Sequence, residues 1–165
     1  MSEKTLILMR HGHAAMMQGQ SDHDRPLTEQ GESAVKLQSE KLKFYLSENV
    51  WLFYSDANRT TTTAKIVVET CDDVFKSSEA RKDLYLADYD QVLTTIAEIP
   101  EIVKTVLLIG HNPGWSGIAS MLSRKYLSLD PSEAAVIKTS DTQSWVDSFC
   151  TPGGWTLEKH LKVKI

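Results

Sequence analysis

Six side chains that can bind an anion follow closely on three short apolar stretches of this 165-residue chain. They are Arg10, His11, Ser55, Arg59, His111 and Asn112. An arginine presents a rigid fork of N–H donors that matches the oxygens of a phosphate group, and a neutral imidazole can attack phosphorus. If the three stretches are neighbours in the fold, the sequence predicts a phosphate pocket.

The three apolar stretches are expected to be buried strands of a largely parallel sheet. They span 5–9, 50–54 and 105–109, and each stops at polar, turn-forming residues. Helical spacing of apolar residues fills the intervals, over 28–46, 59–70, 89–99 and 113–122. This alternation predicts an α/β three-layer sandwich with helices on both faces of the sheet. Ligands of such sheets bind just beyond the carboxyl ends of the strands, where the six side chains lie.

The last third of the chain changes to a two-residue period. Segments 134–139 and 144–149 flank the turn-like Ser140-Asp141-Thr142, and apolar residues then favour odd positions between Trp155 and Ile165. Alternation with a period of two is typical of strands. We therefore expect an antiparallel extension at the edge of the sheet.

Composition narrows the class of protein. The net charge of −4 argues against a broad nucleic-acid surface, and no apolar run approaches the roughly 20 residues of a membrane-spanning helix. Cys71 and Cys150 lie far apart, which argues against a disulfide framework or a thiolate zinc site. The start of the chain lacks the pattern of a signal peptide. We expect one domain over 1–165, a cytoplasmic location and a monomer.

Four motifs, in this order, resemble those of the histidine phosphatase superfamily and, within it, the small SixA-type phosphohistidine phosphatases. They are Arg10-His11-Gly12, the run Asp22-x-x-Arg25-Pro26-Leu27-Thr28-x-x-Gly31, the segment around Ser55 and Arg59, and Gly110-His111-Asn112-Pro113-Gly114. The resemblance implies a phosphoglycerate-mutase-like fold. Asp56 in place of the usual proline, the threonines at 60–63 and His13 in place of a glutamate depart from the family pattern, and these changes bear on substrate preference.

The resemblance implies that His11 is the nucleophile, while Arg10, Arg59 and a protonated His111 hold the phosphate oxygens. The Nδ1 or Nε2 that does not attack must keep its proton, held by a backbone carbonyl or similar acceptor. Ser55 and Asn112 are expected at the substrate. For Arg25, a phosphate contact and a structural partnership with a carboxylate are both open.

No cofactor or metal is expected. The sequence His11-x-His13 with His23 nearby could suggest a metal site, but two neighbouring arginines would repel a cation. Tyr85 and Trp115 could line the mouth of the pocket, although we favour core packing for both. The carboxylates between Glu79 and Asp90 suit a solvated face.

These expectations lead to one favoured function and two alternatives. The favoured function is hydrolysis of phosphohistidine on a histidine phosphotransfer domain, because no motif selects a carboxylic acid that could protonate the leaving group of an ester. The first alternative is a small-molecule phosphomonoesterase with the same nucleophile. The second is a phosphate-binding interaction module without turnover.

Overall fold

A mixed six-stranded sheet organises the protein. The structure is a computed structural model that describes residues 3–140 and 143–164. The strands are β1 (Lys4–Arg10), β2 (Val50–Ser55), β3 (Phe75–Arg81), β4 (Thr105–Gly110), β5 (Ala134–Thr139) and β6 (Thr156–Leu161). Their order across the sheet is β3-β2-β4-β1-β5-β6. The first four are parallel, whereas β5 runs antiparallel to β1 and β6 antiparallel to β5.

Helices cover both faces of this sheet. They are α1 (Glu29–Leu42), α2 (Asn58–Cys71), α3 (Tyr89–Ile96), α4 (Gly114–Ser123) and α5 (Trp145–Phe149). Successive side chains of a strand point to opposite faces, so β1 contributes residues to the hydrophobic core on each side of the sheet. Leu6 and Leu8 pack with α3, α4 and α5, while Ile7 and Met9 pack with α1 and α2. The predicted three-layer α/β sandwich with an antiparallel edge is confirmed.

The burial of the two central strands explains why the sheet could be predicted from the sequence. Residues 6–9 of β1 and 106–109 of β4 have no exposed surface. A parallel strand covered on both faces needs an unbroken apolar run, which is the signal that these stretches carry. Within the described ranges 3–140 and 143–164, no helix is long and apolar enough to cross a lipid bilayer.

The strand predicted over 144–149 is wrong, because this segment forms helix α5. The Ser144 side chain accepts a hydrogen bond from the Asp147 amide and so caps the helix. Trp145 and Phe149 are both buried, and their spacing of four residues is that of one helical face. Asp141 and Thr142 of the predicted turn, and Ile165, lie outside the described residues.

Strand β3 has no counterpart among the predicted elements. Its sequence is polar, and five of its seven residues between Phe75 and Arg81 are Lys, Ser, Ser, Glu and Arg. It lies at the edge of the sheet and, among the described strands, pairs with β2 alone. Pairing with a neighbour distant in the chain, rather than local pattern, makes this segment a strand.

Candidate active site

The loops after β1 and β4 bring two histidines together. Arg10 at the end of β1 pairs with Gly110 at the end of β4, so His11 and His111 leave the sheet at the same level. The His11 amide donates to the Gly110 carbonyl at 3.1 Å. The centroids of the two imidazole rings are 5.2 Å apart. One phosphate group can therefore reach both rings.

These rings line a pocket of about 440 Å³. Its walls are Arg10, His11, His13, Ala14, Met16, Asp22, Arg25, Arg59, Leu86, His111, Asn112 and Pro131. Six of the seven residues predicted for the site are among them, and Ser55 is the exception. Three arginines face a single carboxylate, so the pocket is suited to an anion.

Helix α1 holds the loop that carries His11. The Thr28 side chain accepts from the Gly31 amide at 2.9 Å, and the Thr28 amide donates to the His13 carbonyl at 2.9 Å. A Cβ on Gly31 would lie 2.2 Å from the same carbonyl oxygen. Only glycine lets the helix come this close. The motif that ends at Gly31 therefore fixes the backbone beside the histidine.

The ring of His11 is oriented as a nucleophile requires. Its Nδ1 lies 2.7 Å from the Gly12 carbonyl oxygen. Because a carbonyl only accepts, Nδ1 carries the proton and Nε2 keeps its lone pair. Burial, together with Arg59 and Arg10, lowers the pKa of His11 to about 4, so the ring is neutral at pH 7. The backbone acceptor expected from the sequence is the Gly12 carbonyl.

His111 differs from the protonated ring that the sequence led us to expect. Burial first, and then the neighbouring His11 and Arg59, lower the pKa of His111 to about 3. Its Nδ1 lies 3.3 Å from Nη2 of Arg59, which can only donate. Its Nε2 lies 2.8 Å from Oγ of the fully buried Ser55. In the free pocket His111 is therefore neutral, and Ser55 supports it from behind instead of facing the substrate.

Arg59 is the most heavily bonded cation of the pocket. Only 3% of its surface is exposed, and its Nε lies 3.3 Å from Nε2 of His11. Its Nη1 donates to the Asp22 carbonyl at 2.7 Å, and its Nη2 donates to the Asp22 carboxylate at 3.0 Å. Tyr85 also donates to this carboxylate. Hydrogen bonds from Tyr85, Arg25 and Arg59 hold the pKa of Asp22 far below its ordinary value.

Arg10 and two further polar residues also line the pocket. Nη1 of Arg10 donates to the Leu129 carbonyl at 3.1 Å, whereas its Nε is buried without a hydrogen-bond partner among the residues described. Arg25 has the structural partnership with a carboxylate, because it donates to Asp22 at 3.0 Å; it also lines the pocket, and its phosphate contact stays a prediction. The side-chain amide of Asn112 donates to the Leu129 carbonyl and accepts from Ser116 at the start of α4.

Tyr85 and Trp115 have different surroundings. Trp115 is fully buried and donates to the Leu108 carbonyl, as a core residue should. The core position predicted for Tyr85 is wrong, since its half-exposed ring stands edge-on against His111 at 5.4 Å. A tyrosine has an apolar body and a polar tip, which suits the rim of a pocket as well as a core. Sequence pattern alone does not separate the two positions.

The histidines that could have suggested a metal site have separate partners. His13 bonds to Thr28, and His23 bonds to Asp56 at 2.9 Å. The carboxylates between Glu79 and Asp90 do not line the pocket, and one of them, Asp83, pairs with Arg81. The carboxylate that does line it is Asp22, which was not among the predicted site residues. Its position three residues before Arg25 in the same motif was the available signal.

Comparison with known proteins decides the family. Residues 6–104 match the sequence profile of the histidine phosphatase superfamily, branch 1. The chain belongs to this superfamily. An uncharacterized chloroplastic protein of Arabidopsis thaliana is 33% identical over 94% of this chain and 76% of its own length.

Solved structures of this superfamily share the fold. A Nakamurella multipartitia protein assigned as the phosphohistidine phosphatase SixA has a TM-score of 0.81 and 27% identity, with 99% of this chain and 98% of that one covered. The protein histidine phosphatase SixA complexed with tungstate has a TM-score of 0.76 and 25% identity, with coverage of 95% and 96%. A phosphoglycerate mutase of Bacillus anthracis, at 18% identity and a TM-score of 0.63, shares the fold alone over 91% of this chain and 98% of its own. This histidine phosphatase is a hydrolase of phosphorylated substrates with the predicted phosphoglycerate-mutase-like fold.

Proposed function

We propose that this histidine phosphatase hydrolyses phosphohistidine on a phosphotransfer protein through a phosphorylated His11. The observation that carries the proposal is the ring of His11, whose Nδ1 is held by the Gly12 carbonyl at 2.7 Å while Nε2 remains unprotonated beside Arg59. A neutral imidazole with a fixed tautomer is a competent nucleophile at pH 7. Both SixA structures, by name, act on or are assigned to act on phosphohistidine.

The reaction proceeds in two displacements. In the first, the Nε2 lone pair of His11 attacks phosphorus, a new P–N bond forms, and the bond from phosphorus to the substrate nitrogen breaks. The substrate imidazole, protonated on its other nitrogen before the step, leaves as a neutral ring. In the second, water attacks phosphorus, the bond to His11 breaks, phosphate leaves, and the surplus proton of the water passes to solvent.

Charge stabilisation comes from the arginines that line the pocket. Phosphoryl transfer spreads negative charge over three equatorial oxygens, and fixed donors aimed at them lower the barrier. Arg10 lines the pocket, and Arg59 is held rigidly by its buried position. The neutral ring of His111 accepts from Arg59 at Nδ1 and is held by Ser55 at Nε2, so it helps to fix the guanidinium.

The leaving group supports phosphohistidine over phosphate esters. An alkoxide leaves slowly unless an acid protonates it. The one carboxylate among the described pocket residues, Asp22, is held in its ionised form by Tyr85 and two arginines, so it is a poor acid. An imidazole has a free pKa of about 6.5 and collects its proton from solvent. An ionised carboxylate at the mouth also attracts the protonated ring.

The test compares the hydrolysis of a P–N bond with the hydrolysis of phosphate esters. We expect kcat/KM for a phosphohistidine-bearing phosphotransfer domain to exceed that for p-nitrophenyl phosphate and for sugar phosphates. Quenching in alkali, where phosphohistidine survives, should trap one labelled phosphate per chain on His11. A sugar phosphate that equals or exceeds the phosphotransfer domain would favour the small-molecule phosphomonoesterase. Tungstate binding without any turnover would favour a phosphate-binding module.

A further inference from the structure

An apolar groove runs along α4 on the surface of the protein. It has a volume of about 270 Å³ and is lined by Leu86, Ala87, Asp88, Tyr89, Pro113, Gly114, Gly117, Ile118 and Met121. Asp88 is the one charged residue in this lining, and its carboxylate is occupied as the cap of α3, where it accepts from the Gln91 amide. The groove therefore offers apolar contact and almost no polar recognition.

This groove adjoins the phosphate pocket. Leu86 lines both, and 54% of its surface is exposed. Asn112 lines the pocket, and the next residue, Pro113, lines the groove. On the pocket wall Met16 is 83% exposed, which adds a second flexible apolar side chain to the rim. A macromolecule that places a phosphate in the pocket must also cover this apolar surface.

We propose that the groove binds an apolar side chain on the helix of the phosphoprotein that carries the phosphohistidine. The proposal rests on the function proposed above. Residues three or four apart on a helix have Cβ atoms about 5–6 Å apart, so a histidine and an apolar side chain one turn away can enter two adjoining sites together. Amphipathic helices commonly bind by such anchors in apolar grooves.

Size and chemistry favour a protein side chain over a separate small ligand. Pockets for small molecules commonly have volumes of about 300–1,000 Å³ and include several convergent polar groups, and this groove lies below that range and lacks such a set. Phosphate binding alone would leave specificity to the arginines, which hold any phosphate. An apolar anchor beside the pocket lets the enzyme select a protein by the residues next to its phosphohistidine.

Gly117 provides a way to fill the groove without touching the pocket. It is exposed on α4, and a Cβ built on it would have no atom within 4 Å beyond its chain neighbours and the nearby backbone of the helix. Gly117→Trp places a large ring in the groove. Gly117→Ala is the matched control, because it removes the glycine but adds only a methyl group and leaves the groove open. Met121→Lys, one turn further along α4, changes the same wall of the groove by adding a charge.

The experiment measures kcat/KM on two P–N substrates, a phosphohistidine-bearing phosphotransfer domain and free phosphohistidine. We expect Gly117→Trp and Met121→Lys to lower the value for the domain at least tenfold through KM, and to change the value for free phosphohistidine less than twofold. Gly117→Ala should match the wild type on both substrates.

Four results would overturn the docking proposal or the function beneath it. Wild-type values for the domain with both groove variants would show that the groove binds nothing of the substrate. Equal losses on both substrates would show that these residues act through the pocket. A dimer of the wild type that Gly117→Trp converts to a monomer, with no change in the value for the domain, would assign the groove to a second copy of this chain. If the wild type hydrolyses neither P–N substrate, the proposed function itself fails.

Discussion

The carboxylate of Asp22 lies 3.0 Å from Nη2 of Arg59, in the pocket where a substrate phosphate would bind. The arginine is 3% exposed and the aspartate 45% exposed, so a buried cation is neutralised by an anion at the pocket mouth. A phosphate that binds Arg59 must share this guanidinium or displace the carboxylate. Asp22 therefore lowers the affinity of the pocket for anions in general.

Asp22→Asn should strengthen anion binding. The substitution keeps the size of the side chain but removes the charge that competes for Arg59, so we expect the dissociation constant of tungstate to fall roughly three- to tenfold. Isothermal titration calorimetry measures it directly. Asp24→Asn is the matched control, since Asp24 is exposed two residues away and does not line the pocket. Unchanged or weaker binding in Asp22→Asn would refute the competition.

The same variant should lose part of its selectivity for P–N bonds. An ionised carboxylate stabilises a protonated imidazole in the pocket, and asparagine does not. We expect the ratio of kcat/KM for free phosphohistidine to that for p-nitrophenyl phosphate to fall about fivefold or more. The ratio cancels any general change in phosphate affinity. A ratio equal to the wild type's would mean that Asp22 does not act on the leaving group.

His11→Ala should abolish the covalent intermediate and lower kcat by at least about 10³-fold, because the attacking atom is gone. Tungstate should still bind, with weakened affinity, since Arg10 and Arg59 remain. Thermal unfolding checks that the variant is folded. Residual activity within tenfold of the wild type would assign the nucleophile to another group.

The two pocket histidines should titrate below the usual range. Their pKa values are lowered to about 4 for His11 and about 3 for His111, chiefly by burial. Because the unfolded chain binds these protons near pH 6.5, the free energy of unfolding should decrease as pH falls from about 6.5 towards 4. NMR of the ring protons should show neither residue titrating between pH 8 and 5. A midpoint near 6.5 for either ring would contradict this.

Ser55→Ala should lower kcat about 10- to 100-fold with little change in KM, because His111 loses the hydroxyl that holds its ring in position at Nε2. The buried Nε2 left without a partner should also reduce stability by about 1–3 kcal/mol. Ser39→Ala is the control, as Ser39 is equally buried and bonds to the Val35 carbonyl on α1. If Ser39→Ala lowers kcat as much, the effect of Ser55 is one of stability alone.

The sequence was informative where local pattern and final environment agree. Buried parallel strands at 6–9 and 106–109 need apolar runs, and loops at their ends place His11 and His111 together, so both the sheet and the centre of the site were predictable. The polar strand β3 was not, because its pairing with β2 rather than its own pattern determines it. The helix α5 was missed although the Ser144 cap and the spacing of Trp145 and Phe149 are local signals. The neutral state of His111 also depends on burial and on neighbouring charges. A cytoplasmic location and a monomeric state stay predictions.

The pairing of Arg10 with Gly110 determines when during synthesis this enzyme can become active. Strand β1 leaves the ribosome before the other strands, yet its neighbours in the sheet are β4 and β5, which begin at Thr105 and Ala134. Until β4 has been made, the nascent chain contains His11 but neither His111 nor the strand that places the two rings side by side. Contacts so distant in sequence form slowly and late. The incomplete polypeptide therefore lacks the phosphate site until β1 has paired with β4.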